Sequence, residues 1–388
     1  MPNKEMLLIP GPTPVVDPIY DALASETWAH TDPRFVSIFS NSLKLAKELF
    51  HTDGEVFVVA GSGTLAMEMA VVNTVAPSEK LLVISHGYFG DRFMLLGQAH
   101  GIQVESLQAE WGKPVDPEAV RAKLAEGGFK AVTVTHVDTS TGVVADLDAL
   151  VPVVKASGAL FILDGVCAAA AIEEDMSKSY GNPDYRIDAV LTGSQKAIGV
   201  PPGLAIVAFG PKALAARDAL ARVAAYYVDI KNWLPIMQNP GKYFATPPIN
   251  MIYGFNEGME IVIREGLAKR YARHAALGQA VRAGLNVYGF KPLAVKGVEA
   301  PTLSCFLYPE GLDDLSFRRA LADKGVVIAG ALATLAGKAC RIGHMGNVTG
   351  EIFIKAIRII GETLREMGFA PDIHAAVKAF EAAYGNNP

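Results

Sequence analysis

Between residues 55 and 209 the sequence alternates between short apolar runs rich in β-branched residues and longer segments of helical character. The apolar runs are nearly continuous, which is typical of strands buried on both faces of a parallel sheet. Strands that alternate with helices predict an α/β sandwich in which helices cover both faces of the sheet. The predicted strands are Glu55–Ala60, Leu81–Ser85, Ala131–His136, Ala159–Leu163, Ala189–Thr192 and Leu204–Phe209.

Helices are predicted between these strands, and the pattern changes after Gly210. Asp116 and Pro117 give one helix a capped start, because proline suits the first helical position. Residues 211–225 predict an alanine-rich helix, residues 226–251 an irregular segment, and residues 254–286 one or two long helices. The predicted connecting helices are Thr64–Val75, Phe89–His100, Pro117–Ala125 and Leu147–Ala156.

The last hundred residues predict a smaller α+β unit. We expect an N-terminal arm over residues 1–20, a large domain over 21–255, and a small domain over 256–388 entered by a long linking helix. The charged residues of that helix are interpreted as a solvated face; they are Arg264, Glu265, Lys269, Arg270 and Arg273. The predicted elements of the small unit are strand Thr302–Tyr308, helix Leu315–Asp323, strands Val326–Ile328 and Ala339–Gly343, and helices Glu351–Met367 and Ile373–Tyr384.

Composition excludes several classes of protein. The chain has 388 residues, of which 51% are hydrophobic and 19% charged, so a large core is expected rather than disorder. The longest apolar stretches, such as residues 166–172, are far shorter than the roughly 20 residues of a membrane-spanning helix. The net charge is −5 and no Lys/Arg-rich run is present, so no nucleic-acid groove is expected.

Cysteine usage and the N-terminus favour the cytoplasm. The three cysteines, Cys167, Cys305 and Cys340, lie far apart without CxxC spacing, which indicates a reducing compartment. The first four residues lack the charged and apolar regions of a signal peptide. No cluster has the spacing of metal ligands, so no metal is expected.

Polar residues follow the predicted strands where ligands bind in an open α/β sheet, beyond the carboxyl ends. Residues 61–64, Gly-Ser-Gly-Thr, open a helix and offer backbone N–H groups to an anion. A tight turn with an N-cap is an equal alternative for these residues. They also fit the dinucleotide pattern G-x-G-x-x-A, but His86 stands near the place where that pattern requires an acid.

Two charged residues at strand ends are candidate catalytic groups. Asp164 ends an apolar strand, where a carboxylate needs a cationic or hydrogen-bonding partner, or else forms an Asx turn. Lys196 follows another strand between glycine- and proline-rich turns, where loss of water would make it a nucleophilic amine. A solvated surface charge is the alternative for this lysine.

Three further polar residues each have a functional and a structural interpretation. His86 and His136 could act in catalysis, although structural hydrogen bonds are favoured for both. Arg341 lies on an apolar strand of the small unit. It either binds a substrate carboxylate with two parallel hydrogen bonds or forms an internal ion pair.

An anion cradle, an aromatic residue, an aspartate and a lysine at one rim meet the requirements of pyridoxal 5′-phosphate (PLP). With Gly193-Ser194-Gln195-Lys196 and Pro201-Pro202-Gly203, the chain resembles class V aminotransferases of the alanine–glyoxylate and serine–pyruvate branch. The resemblance extends from Pro10-Gly11-Pro12-Thr13 to Arg341. It implies PLP fold type I: a large α/β domain with a mostly parallel seven-stranded sheet between helices, plus a smaller C-terminal α+β domain.

The resemblance also implies roles for individual residues. Lys196 would form the Schiff base with PLP, and Asp164 would pair with its pyridinium nitrogen. Arg341 and Gly11 would bind the substrate. Tyr243 and Thr246 would reach the cofactor of the neighbouring subunit, which implies a homodimer with shared active sites. The remaining cofactor-binding residues would be Ser62, Gly63, Thr64, Phe89, Thr139 and Gln195.

The expected reaction is PLP-dependent transamination from alanine or serine to glyoxylate or pyruvate. Alternatives on the same scaffold are an aminoethylphosphonate or pyridoxamine transaminase and a cysteine desulfurase-type lyase. The lyase needs an exposed, activated cysteine, whereas Cys305 and Cys340 lie in predicted strands. A dehydrogenase is less favoured because His86 stands where the dinucleotide pattern requires an acid and because the pattern lies late in the chain. An inactive binding module is less favoured because Lys196 and Asp164 are both present.

Overall fold

The apolar runs form one seven-stranded sheet in the computed structural model, which describes residues 5–385. Strand Leu204–Phe209 runs antiparallel to both of its neighbours, and the other neighbouring strands are parallel. The order across the sheet is Glu55–Ala60, Leu204–Phe209, Ala189–Gly193, Leu160–Asp164, Phe129–Thr135, Lys80–Ser85 and Gln103–Gln108. The predicted mostly parallel α/β sheet is therefore confirmed, and the predicted strand bounds agree with it within two residues.

The strand Gln103–Gln108 was missing from the predicted strands. It lies at the edge of the sheet, where its side chains are half-buried or exposed. An edge strand needs no continuous apolar run because one side of it has no neighbouring strand to bury it. Its polar sequence therefore carried little signal.

Helices cover both faces of the large sheet, and further helices pack in the smaller unit. Two of them, Pro117–Ala125 and Leu147–Ala156, have the predicted bounds. The helices are Asp17–Leu23, Pro33–Leu49, Gly63–Val72, Tyr88–Ala99, Pro117–Ala125, Leu147–Ala156, Pro211–Ala219, Ile230–Gln238, Ile249–Glu265, Leu267–Asn286, Asp314–Asp323, Gly350–Glu366 and Ile373–Tyr384, with 3₁₀ turns Pro240–Lys242 and Ala333–Leu335. None of the helices within residues 5–385 is both long and apolar enough to cross a membrane.

The prediction for residues 211–251 was partly wrong. The alanine-rich helix ends at Ala219 rather than at residue 225, and the segment predicted as irregular contains the helix Ile230–Gln238. Asp229 caps this helix by accepting a hydrogen bond from the Lys231 N–H, and Trp233 is fully buried. Apolar residues at helical spacing therefore outweigh the proline within the helix.

A second, four-stranded antiparallel sheet belongs to the smaller unit. Its strands are Lys291–Pro292, Leu303–Leu307, Ala339–Gly343 and Ala329–Gly330 in spatial order. The helix Ile249–Glu265 contributes its buried side chains to the core around the large sheet, whereas Leu267–Asn286 contributes to a separate core around the small sheet. Gly266, with a φ of +85°, lies between the two helices. The expected domain boundary at residue 255 stays a prediction.

The interpretation of the charged helical residues as a solvated face is wrong for three of the five. Arg270 is fully buried and donates to Glu265 and to the backbone oxygens of Ala170 and Ala197. Arg273 also donates to Glu265. These charges pair with one another between the two units, which a helical periodicity alone does not reveal. Arg264 and Lys269 are exposed as expected.

Candidate active site

A cavity of about 180 Å³ lies at the carboxyl end of the large sheet. Because the strands that border it point the same way, the residues that follow them converge at one rim. Eight predicted site residues line it: Ser62, Gly63, Thr64, Phe89, Thr139, Asp164, Gln195 and Lys196. The lining residues that were not predicted are Met67, Arg92, Thr135, Val137, Val166 and Cys167.

One end of the cavity is suited to an anion. The helix Gly63–Val72 begins there with Ser62 at its N-cap, and no side chain within residues 5–385 caps it. Its first N–H groups and the positive end of its dipole can therefore serve a ligand. A Cβ on Gly63 would lie 3.0 Å from Val166 Cγ2, so the absence of a side chain keeps this end open.

Asp164 is the last residue of its strand and is 2% exposed. Its Oδ1 accepts a hydrogen bond from the Val166 N–H at 3.0 Å, so the Asx-turn alternative is realised. Burial, together with the negative charges of Asp138 and Glu174, raises the pKa of Asp164 to about 7. A cationic group in the cavity would favour the ionised form of this carboxyl.

Lys196 lies against the N-terminal arm. Its Nζ donates to the Pro10 carbonyl oxygen at 2.6 Å. A Cβ on Gly11 would lie 2.6 Å from that Nζ, and Gly11 has a φ of +129°, so glycine is required for this close approach. Thr13 fixes the arm to the same loop, because its Oγ1 donates to the Lys196 carbonyl oxygen at 2.7 Å. The alternative of a solvated surface lysine is wrong.

Phe89 is held by its backbone at the start of the helix Tyr88–Ala99. The N–H groups of Phe89 and Gly90 donate to Asp138 Oδ2 at 2.8 and 3.1 Å. Asp138 is fully buried, and its Oδ1 accepts hydrogen bonds from Ser140. The carboxylate therefore fixes the entry of the helix and with it the position of the Phe89 ring at the cavity.

Arg341 extends from the small sheet toward the same rim. Its Nε donates to the Gly330 carbonyl oxygen at 2.8 Å, and its Nη1 lies 3.3 Å from Thr139 Oγ1. The structure shows no salt bridge between Arg341 and any carboxylate of residues 5–385, so the internal ion pair is not formed. Burial lowers its pKa, which is the expected direction for a cation without an anionic partner.

The two histidines at strand ends differ in their partners. His136 Nδ1 lies 2.7 Å from Glu174 Oε1, and both side chains are buried, which supports a structural role. His86 is buried as well, and its Nε2 has no hydrogen-bond partner within the described residues. Burial lowers the pKa of His86 and thereby favours its neutral form.

Neither Tyr243 nor Thr246 lines the cavity of its own chain. The Tyr243 ring is 7% exposed and lies 5.5 Å from the Trp233 ring, whereas Thr246 is exposed. Their predicted contact with the site of a neighbouring subunit stays a prediction.

Comparison with known proteins gives this rim its context. Residues 19–359 match the family described as aminotransferase class-V. The chain belongs to that family. It is 35% identical to alanine–glyoxylate aminotransferase 1 of Saccharomyces cerevisiae, covering 89% of this chain and 92% of the relative. It is 31% identical to L-aspartate–glyoxylate aminotransferase of Paracoccus denitrificans, covering 99% and 97%.

A solved structure agrees with this assignment. The structure of ureidoglycine–glyoxylate aminotransferase from Bacillus subtilis superposes with a TM-score of 0.92 at 26% identity, covering 100% of this chain and 99% of that one. This class V aminotransferase therefore has the predicted PLP fold type I, and its cofactor is PLP.

The residues present fit this cofactor on three structural observations. The uncapped helix end at Ser62 suits a phosphate group. Asp164 is a buried carboxyl whose raised pKa a protonated ring nitrogen would offset. Lys196 presents a primary amine at the same cavity. In addition, the buried Gln195 Oε1 has no hydrogen-bond partner among residues 5–385, so a polar group of a ligand can satisfy this side chain.

Proposed function

We propose that this enzyme transfers the amino group of alanine or serine to glyoxylate or pyruvate. The observation that carries the proposal is the half-buried Arg341, whose guanidinium has no carboxylate partner within the described chain. Its Nε donates to Gly330 and its Nη1 to Thr139, so Nη2 and the second N–H of Nη1 are left for a substrate α-carboxylate. The names of the yeast and Paracoccus relatives support glyoxylate as the acceptor.

The chain's own residues divide the work of the reaction. When bound, PLP supplies the carbonyl that receives the amino group and a ring that accepts electrons from the α-carbon. Ser62, Gly63, Thr64 and Gln195 would hold its phosphate end. Asp164, ionised beside the protonated ring nitrogen, would keep that proton in place.

Arg341 would orient the substrate, and Lys196 would transfer the proton. Arg341 fixes the α-carboxylate, and Thr139 supports the guanidinium through the contact at Nη1. Fixing the carboxylate orients the α-C–H bond. Lys196 Nζ is then the base that takes the α-proton, and as an ammonium it returns the proton. The Pro10 carbonyl can accept a hydrogen bond from the free lysine.

Charge at the cavity favours donors with a single carboxylate. Within residues 5–385 the lining contains two cationic side chains, Lys196 and Arg92. Arg92 bonds to Thr64 at the phosphate end, and Lys196 is committed to catalysis. A second carboxylate on the donor would therefore lack a cation from this chain, which disfavours aspartate relative to alanine or serine.

A cysteine desulfurase-type reaction is not favoured. Burial raises the pKa of Cys305 to about 12 and also raises the pKa values of Cys167 and Cys340. Thiols that stay protonated are poor nucleophiles.

We further propose that the enzyme is a homodimer with shared active sites. Tyr226, Tyr227 and Phe244 expose 72%, 40% and 41% of their surfaces near the buried Tyr243. Exposed aromatic residues that adjoin one another favour a protein interface. Thr246 lies close to this surface in sequence, where a partner's cavity could receive it. The three free, buried cysteines support a cytoplasmic location.

A donor and acceptor panel tests the reaction. The purified holoenzyme is given alanine, serine, aspartate, pyridoxamine or 2-aminoethylphosphonate, with glyoxylate or pyruvate as acceptor, and kcat/KM is measured for each pair. Alanine or serine with glyoxylate or pyruvate should give the highest values. A higher kcat/KM for aspartate would overturn the single-carboxylate argument, and turnover restricted to the two amines without a carboxylate would overturn the role of Arg341.

A further inference from the structure

Arg92 is a cation of the cavity that neither the strand-end pattern nor the roles above required. It lies in the second turn of the helix Tyr88–Ala99, and its Nη1 donates to Thr64 Oγ1 at 2.9 Å. Its guanidinium carbon lies 4.5 Å from the centre of the Phe89 ring. The side chain therefore joins the aromatic wall of the cavity to the open helix end at Gly63.

The charge of Arg92 remains available within the described part of the chain. The structure shows no salt bridge between Arg92 and a carboxylate of residues 5–385. The adjacent Asp91 accepts hydrogen bonds from Ser85 Oγ at 2.7 Å and Gln108 Nε2 at 2.8 Å, so it is engaged elsewhere. A guanidinium that borders a cavity and lacks an anion is available to an anionic ligand.

Among residues 5–385, no other free cation lies at the phosphate end of the cavity. Lys196 is the other cationic residue of the described lining, and it is the amine assigned to catalysis in the proposed function. The helix end supplies roughly half a positive charge, whereas a phosphate monoester carries between one and two negative charges at neutral pH. We propose that Arg92 supplies the positive charge that holds the phosphate group of the cofactor, acting together with Thr64 and the helix N-terminus.

A different role for Arg92 would be to support the Phe89 ring alone. The two roles differ in what they recognise. A phosphate-binding arginine distinguishes PLP from pyridoxal, which has the same ring without phosphate. An arginine that supports only the aromatic wall affects both compounds equally, because both place the same ring in the cavity.

The test measures cofactor affinity and needs no amino donor, so its outcome does not depend on the substrate proposal. Cofactor is released from the holoenzyme by dialysis, and the full-length chain is titrated with PLP and, separately, with pyridoxal while absorbance is followed. Arg92→Gln should raise the Kd of PLP at least about tenfold and that of pyridoxal less than about twofold, as expected for a lost charge-assisted hydrogen bond. Equal increases for the two compounds would overturn the proposal.

Two further variants keep the test decisive. Arg92→Lys retains the charge and should bind PLP more tightly than Arg92→Gln; if the glutamine variant does not fold, the lysine variant must still lose more affinity for PLP than for pyridoxal. Arg34→Gln is the matched control, because Arg34 also lies over an aromatic ring, 4.0 Å from the centre of Trp28, but pairs with Asp32. It should change neither Kd.

Inorganic phosphate gives an independent readout on the cofactor-free chain. Phosphate should raise the Tm of the wild type and raise it less in Arg92→Lys or Arg92→Gln, because ligand binding stabilises only the folded state. An equal Tm increase in the wild type and the variants would contradict a phosphate contact.

Discussion

The two rims of the large sheet each contain a lysine and an aspartate, but they use them differently. At the amino-end rim, Lys155 forms a buried salt bridge with Asp188 and also donates to the Ala159 carbonyl oxygen at 3.1 Å. Asp188 accepts a further hydrogen bond from the Phe161 N–H at 2.7 Å. At the carboxyl-end rim, Lys196 donates to a backbone carbonyl oxygen, and the Asp164 carboxylate accepts a hydrogen bond from the Val166 N–H alone among residues 5–385.

This difference separates charges that stabilise the fold from charges that remain available for chemistry. A buried ion pair with its hydrogen bonds satisfied can persist inside a protein, whereas a buried charge without its partner is costly. At the carboxyl-end rim, a bound ligand can supply the missing partner and so offset the free-energy cost of the buried charge. Four predictions test the contrast.

The largest effect should come from removing the lysine of the carboxyl-end rim. Lys196→Ala should lower the rate of transamination by at least about a thousandfold, because the base at the α-carbon is lost. The fold should remain, since Lys196 pairs with no carboxylate in the described chain. Steady-state rates and circular dichroism measure the two effects. Residual activity above a tenth of wild type would contradict the assignment of Lys196 as the catalytic lysine.

Replacing the unpaired aspartate should change how stability depends on pH. Burial raises the pKa of Asp164 from 3.8 to about 7 in the cofactor-free chain. The folded chain therefore binds more protons than the unfolded chain between these values, and the free energy of unfolding should fall as pH rises through this window.

Asp164→Asn cannot ionise, so it should lose that part of the pH dependence, which is on the order of 4 kcal/mol between pH 4 and pH 8. Urea unfolding of cofactor-free wild type and variant across this range gives the difference. Parallel curves would show that Asp164 does not carry the raised pKa. In the holoenzyme, Asp164→Asn should lower turnover by orders of magnitude while some PLP still binds.

At the amino-end rim, replacing the lysine should lower the stability of the fold. Lys155→Met leaves Asp188 buried without its cation and should cost about 3–5 kcal/mol in the free energy of unfolding. The kcat/KM of the folded fraction should stay near that of wild type, because Lys155 lies at the other end of the sheet. A loss of activity that exceeds the loss of folded protein would contradict the claim that the charges of the amino-end rim serve only stability.

The smallest effect should come from Arg341→Lys, which keeps a charge but loses the two-pronged geometry. KM for alanine and for glyoxylate should rise and kcat/KM should fall at least about tenfold, while the Kd of PLP is unchanged. Steady-state kinetics with both substrates and a PLP titration provide the measurements. An unchanged kcat/KM for alanine would place the substrate carboxylate elsewhere.

The strand-end residues were predictable because a parallel sheet brings the carboxyl ends of its strands to one rim wherever the helices between them lie. That rule brought Asp164, Lys196 and residues 61–64 to one rim, and Asp164, Lys196 and residues 62–64 line one cavity there. Arg92 was missed although it follows Phe89 by three residues. The sequence does not show whether an arginine near the start of a helix faces the cavity or the solvent. The edge strand Gln103–Gln108 and the helix Ile230–Gln238 were missed for a similar reason. Their local hydrophobic patterns are weak, and only the elements that pack against them in the fold identify them.

By itself, the sequence determined the α/β class, the bounds of most strands and the residues at their ends, because hydrophobic periodicity and turn chemistry are local properties. The tertiary structure alone decided which charges are paired. Arg270 and Arg273 follow a helical pattern typical of a solvated face, yet they pair with Glu265 between the two units. Arg341 and Arg92 have the same chemistry, and neither pairs with a carboxylate of the described residues. Pairing depends on side chains that lie far apart in the chain and meet only after folding, so no local pattern contains it.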